Sequence, residues 1–327
     1  MDLKSATKNQ HFLSQTEQRL NAINSGSCNP KSPRIYEFEL VDRENHEIKL
    51  RSKRGALIEN TLSLHDLFSF DILDRKGDRE NFEELFNQYE PMIKLTTLEL
   101  LRKIQITSED IGSEIVNLFS MKFLNFIRNP YSIKKILNTF PTLMNIQPTD
   151  PVHLENFKKV LAGRKPHQEY LCRTLNVSKK DYIAWLAVIF LLLTPVAEGG
   201  QNFLNDTVRG LFESRDLFMM VIIYTYDDHA CLLSDRGFSE PLVSGNDRMA
   251  FDFNLYSQGF IRYTFSTIDL VSPPGTPKRI IDLFKETKQV MVHHHHNDLE
   301  ALKKYNQHVI YQCYKNVFSS QSTCFGV

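Results

Sequence analysis

The run YIAWLAVIFLLLTPVA, from Tyr182 to Ala197, is apolar on every side, and no other stretch limits the possible folds as strongly. It falls short of the ~20 residues that a membrane-spanning helix needs. Lys179, Lys180 and Asp181 precede it, and Glu198 followed by Gly199 and Gly200 closes it. We therefore read it as a helix enclosed by protein rather than as a membrane anchor, because a helix without a polar face must be covered all round. At 327 residues and 38.1 kDa the chain is long enough to supply that cover, in one domain or two.

From about 60 to 215 the pattern is helical, and after Arg215 strands dominate. Ser14 to Glu17 reads as a capping box and Asn24 to Gly26 as a stop, giving a short helix at 15–24. RIYEFELVD and HEIKLRS alternate around Asp42 to Asn45 and predict a β-hairpin. FEELFNQYEPMIKLTTLELLRKI is one amphipathic stretch in which Pro91 marks a kink or boundary. SEDIGSEIVNLFSMKFLNFI is a further helix, ended by Asn129 and Pro130, and shorter helices follow near 131–140, 151–162 and 166–175. LFMMVIIYTY and ACLLSD predict two strands joined at Asp227 to His229, and FDFNLY and IRYTFSTI two more. Thr276 and Pro277 start a helix at about 277–288, and Asn297 with Glu300 starts a last one reaching about Phe318. The expected class is α+β, mostly helical, with a small, largely antiparallel sheet from the early hairpin and the strands of the last third. We expect a single composite domain over 1–327: a hairpin region at 1–60, a helical region at 61–215, and a strand-rich region at 216–327.

Composition excludes some partners. Thirty-nine Lys and Arg balance thirty-nine Asp and Glu, so no global field draws the chain onto nucleic acid or an anionic membrane. RNA or DNA would have to use a local patch: Lys49, Arg51, Lys53 and Arg54, or Lys158, Lys159, Arg164 and Lys165, each of which also suits a solvated face. Cys28, Cys172, Cys231, Cys313 and Cys324 are odd in number and irregular in spacing, which favours a reducing compartment over a disulfide framework. The start, MDLKSATKNQHF, has no apolar core, so no secretory leader and a cytoplasmic location are expected. A Walker loop, a dinucleotide fingerprint, HExxH and CxxC are all missing from the sequence. His293 to His296 would alternate faces in an extended strand, so at most two could share a metal.

NQHFLSQ (Asn9 to Gln15) and NQHVIYQ (Asn306 to Gln312) look alike but play different parts. Asn306 fills a gap in the apolar stripe Leu299, Leu302, Val309, Cys313, Val317, and in that position must find hydrogen-bond partners or cost roughly 1–3 kcal/mol. His308 lies about 200° round the helix and is expected to face water. At the other end, His11 directly precedes Phe12 and Leu13, which must dock on the core.

The chain resembles the bacterial domain-of-unknown-function family 4238. Family members open with His-aromatic-Val-Pro-Gln, which His11, Phe12, Leu13, Ser14 and Gln15 follow here with Ser in place of Pro. A hairpin and then two Glu residues seven apart come next, matched by Glu83 and Glu90; on one helix these would lie about 20° apart. A strand ending in Ser-Asp-Asn-Pro is matched by Ser234 and Asp235, with Arg236 and Gly237 replacing Asn-Pro. An Asn in a late amphipathic helix is matched by Asn306.

If these residues converge, they suit phosphoryl chemistry. Glu83, Glu90 and Asp235 would hold Mg²⁺ or Mn²⁺, since oxygen-rich sets select hard cations. His11, Asp235 and Asn306 would carry catalysis, and Gln15, Ser234, Lys53 and Arg54 would contact substrate. The expectation is a metal-dependent phosphodiester hydrolase, most simply a nuclease, with a role in antiviral defence implied by the resemblance. The competing expectation is a non-enzymatic sensor or scaffold whose helical region binds a protein partner or a second copy.

Overall fold

The structure, a computed structural model, describes residues 3–23, 32–71, 79–106, 109–241, 248–287 and 290–327. The predicted stop at 24–26 and Cys28 lie outside the described residues.

Along the chain, β1 (Asn9–His11) leads into α1 (Gln15–Leu20), followed by the hairpin β2 (Arg34–Asp42) and β3 (Glu47–Leu50). The short strands β4 (Ala56–Leu57), β5 (Ser63–His65), β6 (Phe70–Asp71) and β7 (Arg79–Glu80) precede the helical region. That region holds α2 (Glu83–Phe86), α3 (Glu90–Lys103), α4 (Gly112–Arg128), α5 (Ile133–Thr139), α6 (Pro151–Ala162), α7 (Gln168–Leu175), α8 (Lys179–Leu193) and α9 (Phe203–Glu213). Then come β8 (Leu217–Thr225), β9 (Leu233–Ser234), β10 (Arg248–Tyr256), β11 (Gly259–Thr267), α10 (Ile268–Val271), α11 (Lys278–Glu286), β12 (Val290–His296), α12 (Leu299–Gln312) and β13 (Asn316–Ser319). The class is mixed α+β, as expected.

The apolar run forms α8. Ser178 Oγ accepts from the Asp181 N–H at 3.0 Å and starts the helix. Thr194, which precedes Pro195, is already extended (φ −121°, ψ 146°), as the proline ring requires of its neighbour. Every residue from Trp185 to Leu193 is buried. Each large side chain there contributes roughly 1.5–3 kcal/mol relative to exposure. Helices α5, α6, α7 and α9 surround α8. The polar tips of its rings are satisfied, since Tyr182 donates to the Leu67 carbonyl at 2.6 Å and Trp185 to that of Ile127 at 2.9 Å.

Two sheets flank this helical mass. One has the order β10-β11-β8-β12, antiparallel except that β12 runs parallel to β8. It lies on α4, where the Phe119 ring meets Tyr263 at 4.9 Å and Phe265 at 5.5 Å. The other has the order β3-β2-β13-β9, and α12 sits between the two. Tyr305 of α12 stacks on Phe260 of the first sheet at 4.0 Å and donates to the Leu232 carbonyl beside the second at 2.8 Å.

Four expectations change. Helix α1 ends at Leu20, and only half the capping box forms: Ser14 Oγ accepts from the Glu17 N–H at 3.1 Å, while the Glu17 side chain turns inward. Glu83 and Glu90 stand on separate helices, because Pro91 has no N–H to continue a helix and instead opens α3. Strands β8 and β9 form no hairpin and belong to different sheets. The last helix stops at Gln312, and 316–319 extends as β13 between β2 and β9.

Candidate active site

Helix α4 carries an anomaly inside its apolar face. Lys122, Asn125, Arg128 and the following Asn129 are all buried, at spacings that bring them along one side of the helix. Charges out of water must be paired, and each one is. Glu17 of α1 forms an ion pair with Lys122 and accepts from Asn125 Nδ2 at 2.5 Å. Asn125 Oδ1 accepts in turn from Arg128 at 3.2 Å. Arg128 pairs with Glu90 at the start of α3, and its guanidinium lies 5.0 Å over the Phe86 ring. The result is a continuous chain of alternating charge, Lys122–Glu17–Asn125–Arg128–Glu90.

Glu83 and His11 stand within electrostatic reach of the Arg128 end. Burial pushes the Glu83 carboxyl up to about 7; the Glu90 charge adds to the rise and Arg128 opposes it. Its Oε1 is buried, with no hydrogen-bond partner among the described residues. The His11 pKa is lowered, mainly by burial and further by Arg128 and Arg19, with the Ile58 carbonyl and Glu90 pulling the other way. Its Nε2 faces that carbonyl at 3.3 Å and must carry the proton there, which leaves Nδ1 as an acceptor toward Gln15 Nε2 at 3.4 Å. Gln15 Oε1 accepts from Arg19 at 2.7 Å and fixes the amide's orientation.

Of the expected site residues, Glu90 touches Arg128, His11 and Glu83 feel its charge, and Gln15 is joined to His11. The others do not join them through any contact among the described residues. Both carboxylate oxygens of Asp235 are taken by backbone N–H groups of Tyr314, Lys315 and Asn316, at 2.7, 2.7 and 3.0 Å. Burial raises its pKa while those three donors lower it. Among the described residues, Asp235 reaches the end of α4 through its own carbonyl, which accepts from Asn129 at 2.9 Å. Ser234 Oγ accepts from the Arg236 N–H at 3.0 Å within the same turn. Asn306 is wholly buried; it accepts from the Leu232 N–H and donates to the Phe325 carbonyl, both at 3.0 Å.

Lys53 and Arg54 are exposed in the turn leading to β4 and Ile58, the residue whose carbonyl His11 meets. The second basic patch is only partly drawn into the fold, with Lys158 and Arg164 exposed. Lys165 is buried, its ammonium donates to the Gly163 carbonyl at 2.6 Å, and burial lowers its pKa to about 8. Arg164 pairs with Asp71 at 3.0 Å and Lys159 with Glu80 at 3.6 Å. His308 is half-buried rather than facing water. In β12, His294 and His296 share one face and His293 and His295 the other, each pair with ring centroids 6.5 Å apart.

The buried Lys122, Asn125, Arg128 and Glu17 were missed by sequence reasoning. The available signal was a set of polar residues three apart inside an otherwise apolar helix. Gly237, where the resemblance would place a proline, has φ +77°, a conformation closed to proline. The turn after Asp235 is therefore built differently from a Ser-Asp-Asn-Pro turn. No protein-family model matches the chain, and neither a curated protein nor a solved structure matches it.

Proposed function

We propose that this chain is a metal-assisted phosphodiester hydrolase of the nuclease type, working at the cluster around Arg128. The observation that carries this reading is Glu83: a carboxyl with a buried oxygen that has no hydrogen-bond partner among the described residues, its pKa raised to about 7 by burial, under the charges of Glu90 and Arg128. A carboxyl in that state suits a divalent cation, which would displace its proton to solvent on binding and pair with the carboxylate. Glu83 and Glu90 would hold Mg²⁺ or Mn²⁺; Asp235 is left out, because both its oxygens are committed to backbone donors. When bound, such an ion polarises a phosphoryl oxygen and lowers the pKa of water.

The chain's own residues supply the rest. Arg128, held in this structure by Glu90 and Asn125, would have to turn its planar N–H donors to phosphate oxygens. His11, neutral because its pKa is lowered, accepts the proton of the attacking water at Nδ1 as the new P–O bond forms and the bond to the leaving oxygen breaks. The imidazolium then passes that proton to the leaving oxygen. Lys53 and Arg54, exposed in the turn before Ile58, would contact the nucleic-acid backbone. A cytoplasmic defence enzyme fits this reading.

The test is incubation of labelled RNA and DNA with the full chain in Mg²⁺, Mn²⁺ or chelator. We expect metal-dependent cleavage that falls on the order of a hundredfold or more in His11→Ala, with the melting temperature nearly unchanged. Absence of cleavage, or equal cleavage by His11→Ala, overturns it. A second reading draws on α3, which exposes Met92, Leu95 and Leu98 on successive turns, at 52, 60 and 48%. That stripe suits a protein partner of a non-enzymatic scaffold, and light scattering that shows a Leu95→Glu-sensitive oligomer would favour it.

A further inference from the structure

A second constellation lies outside the Arg128 cluster. His65 at the end of β5, the adjacent Asp66, and His167 just before α7 offer three donor atoms that all lie within 4.8 Å of one another. Asp66 Oδ2 is the common point, 3.1 Å from His65 Nδ1 and 3.6 Å from His167 Nε2. The second distance is too long for a hydrogen bond, so the His167 imidazole is aimed at the carboxylate without being satisfied by it. Donors on a tetrahedral Zn²⁺, at 2.0–2.1 Å from the ion, stand roughly 3.4 Å apart, which falls between those two separations.

The surroundings are those of a built site. Asp66 is buried, with 3% of its side chain exposed, while the two imidazoles are 53 and 57% exposed, so a cation would reach the carboxylate from solvent between them. Arg79 pairs with Asp66 Oδ1 and also donates to Ser69 Oγ at 2.8 Å, which fixes the carboxylate and turns Oδ2 to the two rings. Asp66 and His167 both have left-handed backbone, φ +61° and +56°, a conformation uncommon outside glycine but adopted by Asp and His more readily than by most residues. His167 occupies the N-cap position of α7, yet its side chain makes no capping bond there.

We propose that His65, Asp66 and His167 form a binding site for a zinc-class transition metal, with water in the fourth position. Two imidazoles and one carboxylate oxygen suit Zn²⁺. They do not suit Mg²⁺ or Ca²⁺, which need more oxygen donors than Asp66 can offer with Oδ1 held by Arg79. The ion would strap β5 to the start of α7. Since β5 pairs with β1, with Asn9 opposite His65 and His11 opposite Ser63, it would also steady the strand that carries His11. The site stands whether or not the Arg128 cluster cleaves a substrate.

The experiment uses the full chain carrying His293→Ala, His294→Ala, His295→Ala and His296→Ala, which removes both exposed imidazole pairs of β12 as competing binders. After chelator treatment the protein is titrated with Co²⁺ and followed by visible absorption, then with Zn²⁺ and with millimolar Mg²⁺. We expect one equivalent of Co²⁺ with the intense bands of a four-coordinate ion, displaced by Zn²⁺ and not by Mg²⁺. His65→Ala and His167→Ala, both at exposed positions, should each weaken binding at least about tenfold. Missing bands, displacement by Mg²⁺, or bands unchanged in both histidine variants of unaltered circular dichroism would overturn the site.

Discussion

Lys122 and Glu17 form an ion pair with almost no contact with water, their side chains 1% and 2% exposed. Such a pair adds little beyond what two packed apolar residues would give, but breaking it strands a charge. Lys122→Met should therefore destabilise the protein by about 3–5 kcal/mol, and Glu17→Leu added to it should recover most of the loss. Urea unfolding midpoints of the single and double variants decide this. A single variant as stable as wild type would show that the pair carries no structural load.

Glu83 gives a pH dependence with a definite sign. Its folded pKa, raised mainly by burial to about 7, lies above the ordinary carboxyl value of 4.5. Between those two values the folded state holds the proton more tightly than the unfolded state, so stability falls as pH rises through the window. The fall is up to about 3 kcal/mol. Glu83→Gln, a permanent mimic of the protonated form, should flatten this slope and be more stable than wild type at pH 8. Paired denaturation curves at pH 5 and pH 8 are the measurement, and an unchanged slope in the variant is the outcome that refutes it.

These two sites also mark where sequence reading stops. Local signals were sufficient for α8, for the break at Pro91, for the end of α4 at Asn129 and for the β2–β3 hairpin, because each is decided by a few neighbouring residues. The pairing of Asn125 with Glu17 spans 108 positions, and nothing in either segment names its partner. Asn306 was legible as a buried polar group needing partners, but not that the partners are Leu232 and Phe325. Residues 316–319 continue a helical pattern, yet the open edge between β2 and β9 claims them as a strand. Asp235 at a strand end reads equally as catalyst or turn residue. Only the fold shows three backbone amides converging on it.

Those amides make Asp235 a staple between the β9 turn and the entry to β13. Asp235→Asn would keep the shape but replace one acceptor oxygen with a donor, leaving at least one of the three N–H groups without a partner. Hydrogen bonds to a charged group are worth about 1.5–3 kcal/mol, so a loss of that order is expected. Thermal melts report it. Any nuclease activity should follow the folded fraction alone; a variant that stays folded at the assay temperature yet loses turnover would return Asp235 to the catalytic set.

Gly237 closes the same turn under two constraints at once. Its φ of +77° is unfavourable for any residue with a Cβ, and a Cβ built there would lie 2.9 Å from Leu13 Cδ1 and 3.0 Å from Asn125 Cβ. Leu13 follows the segment bearing His11, and Asn125 links Glu17 to Arg128, so the glycine lets the turn press against both halves of the Arg128 cluster. Gly237→Ala should thus destabilise by more than about 1 kcal/mol, the backbone strain and the steric push adding together. It should also shift the side-chain NMR resonance of Asn125, which Asp235→Asn should leave in place. If Gly237→Ala is neutral by thermal melt and leaves the Asn125 resonance unmoved, the close packing of this turn on α4 is wrong.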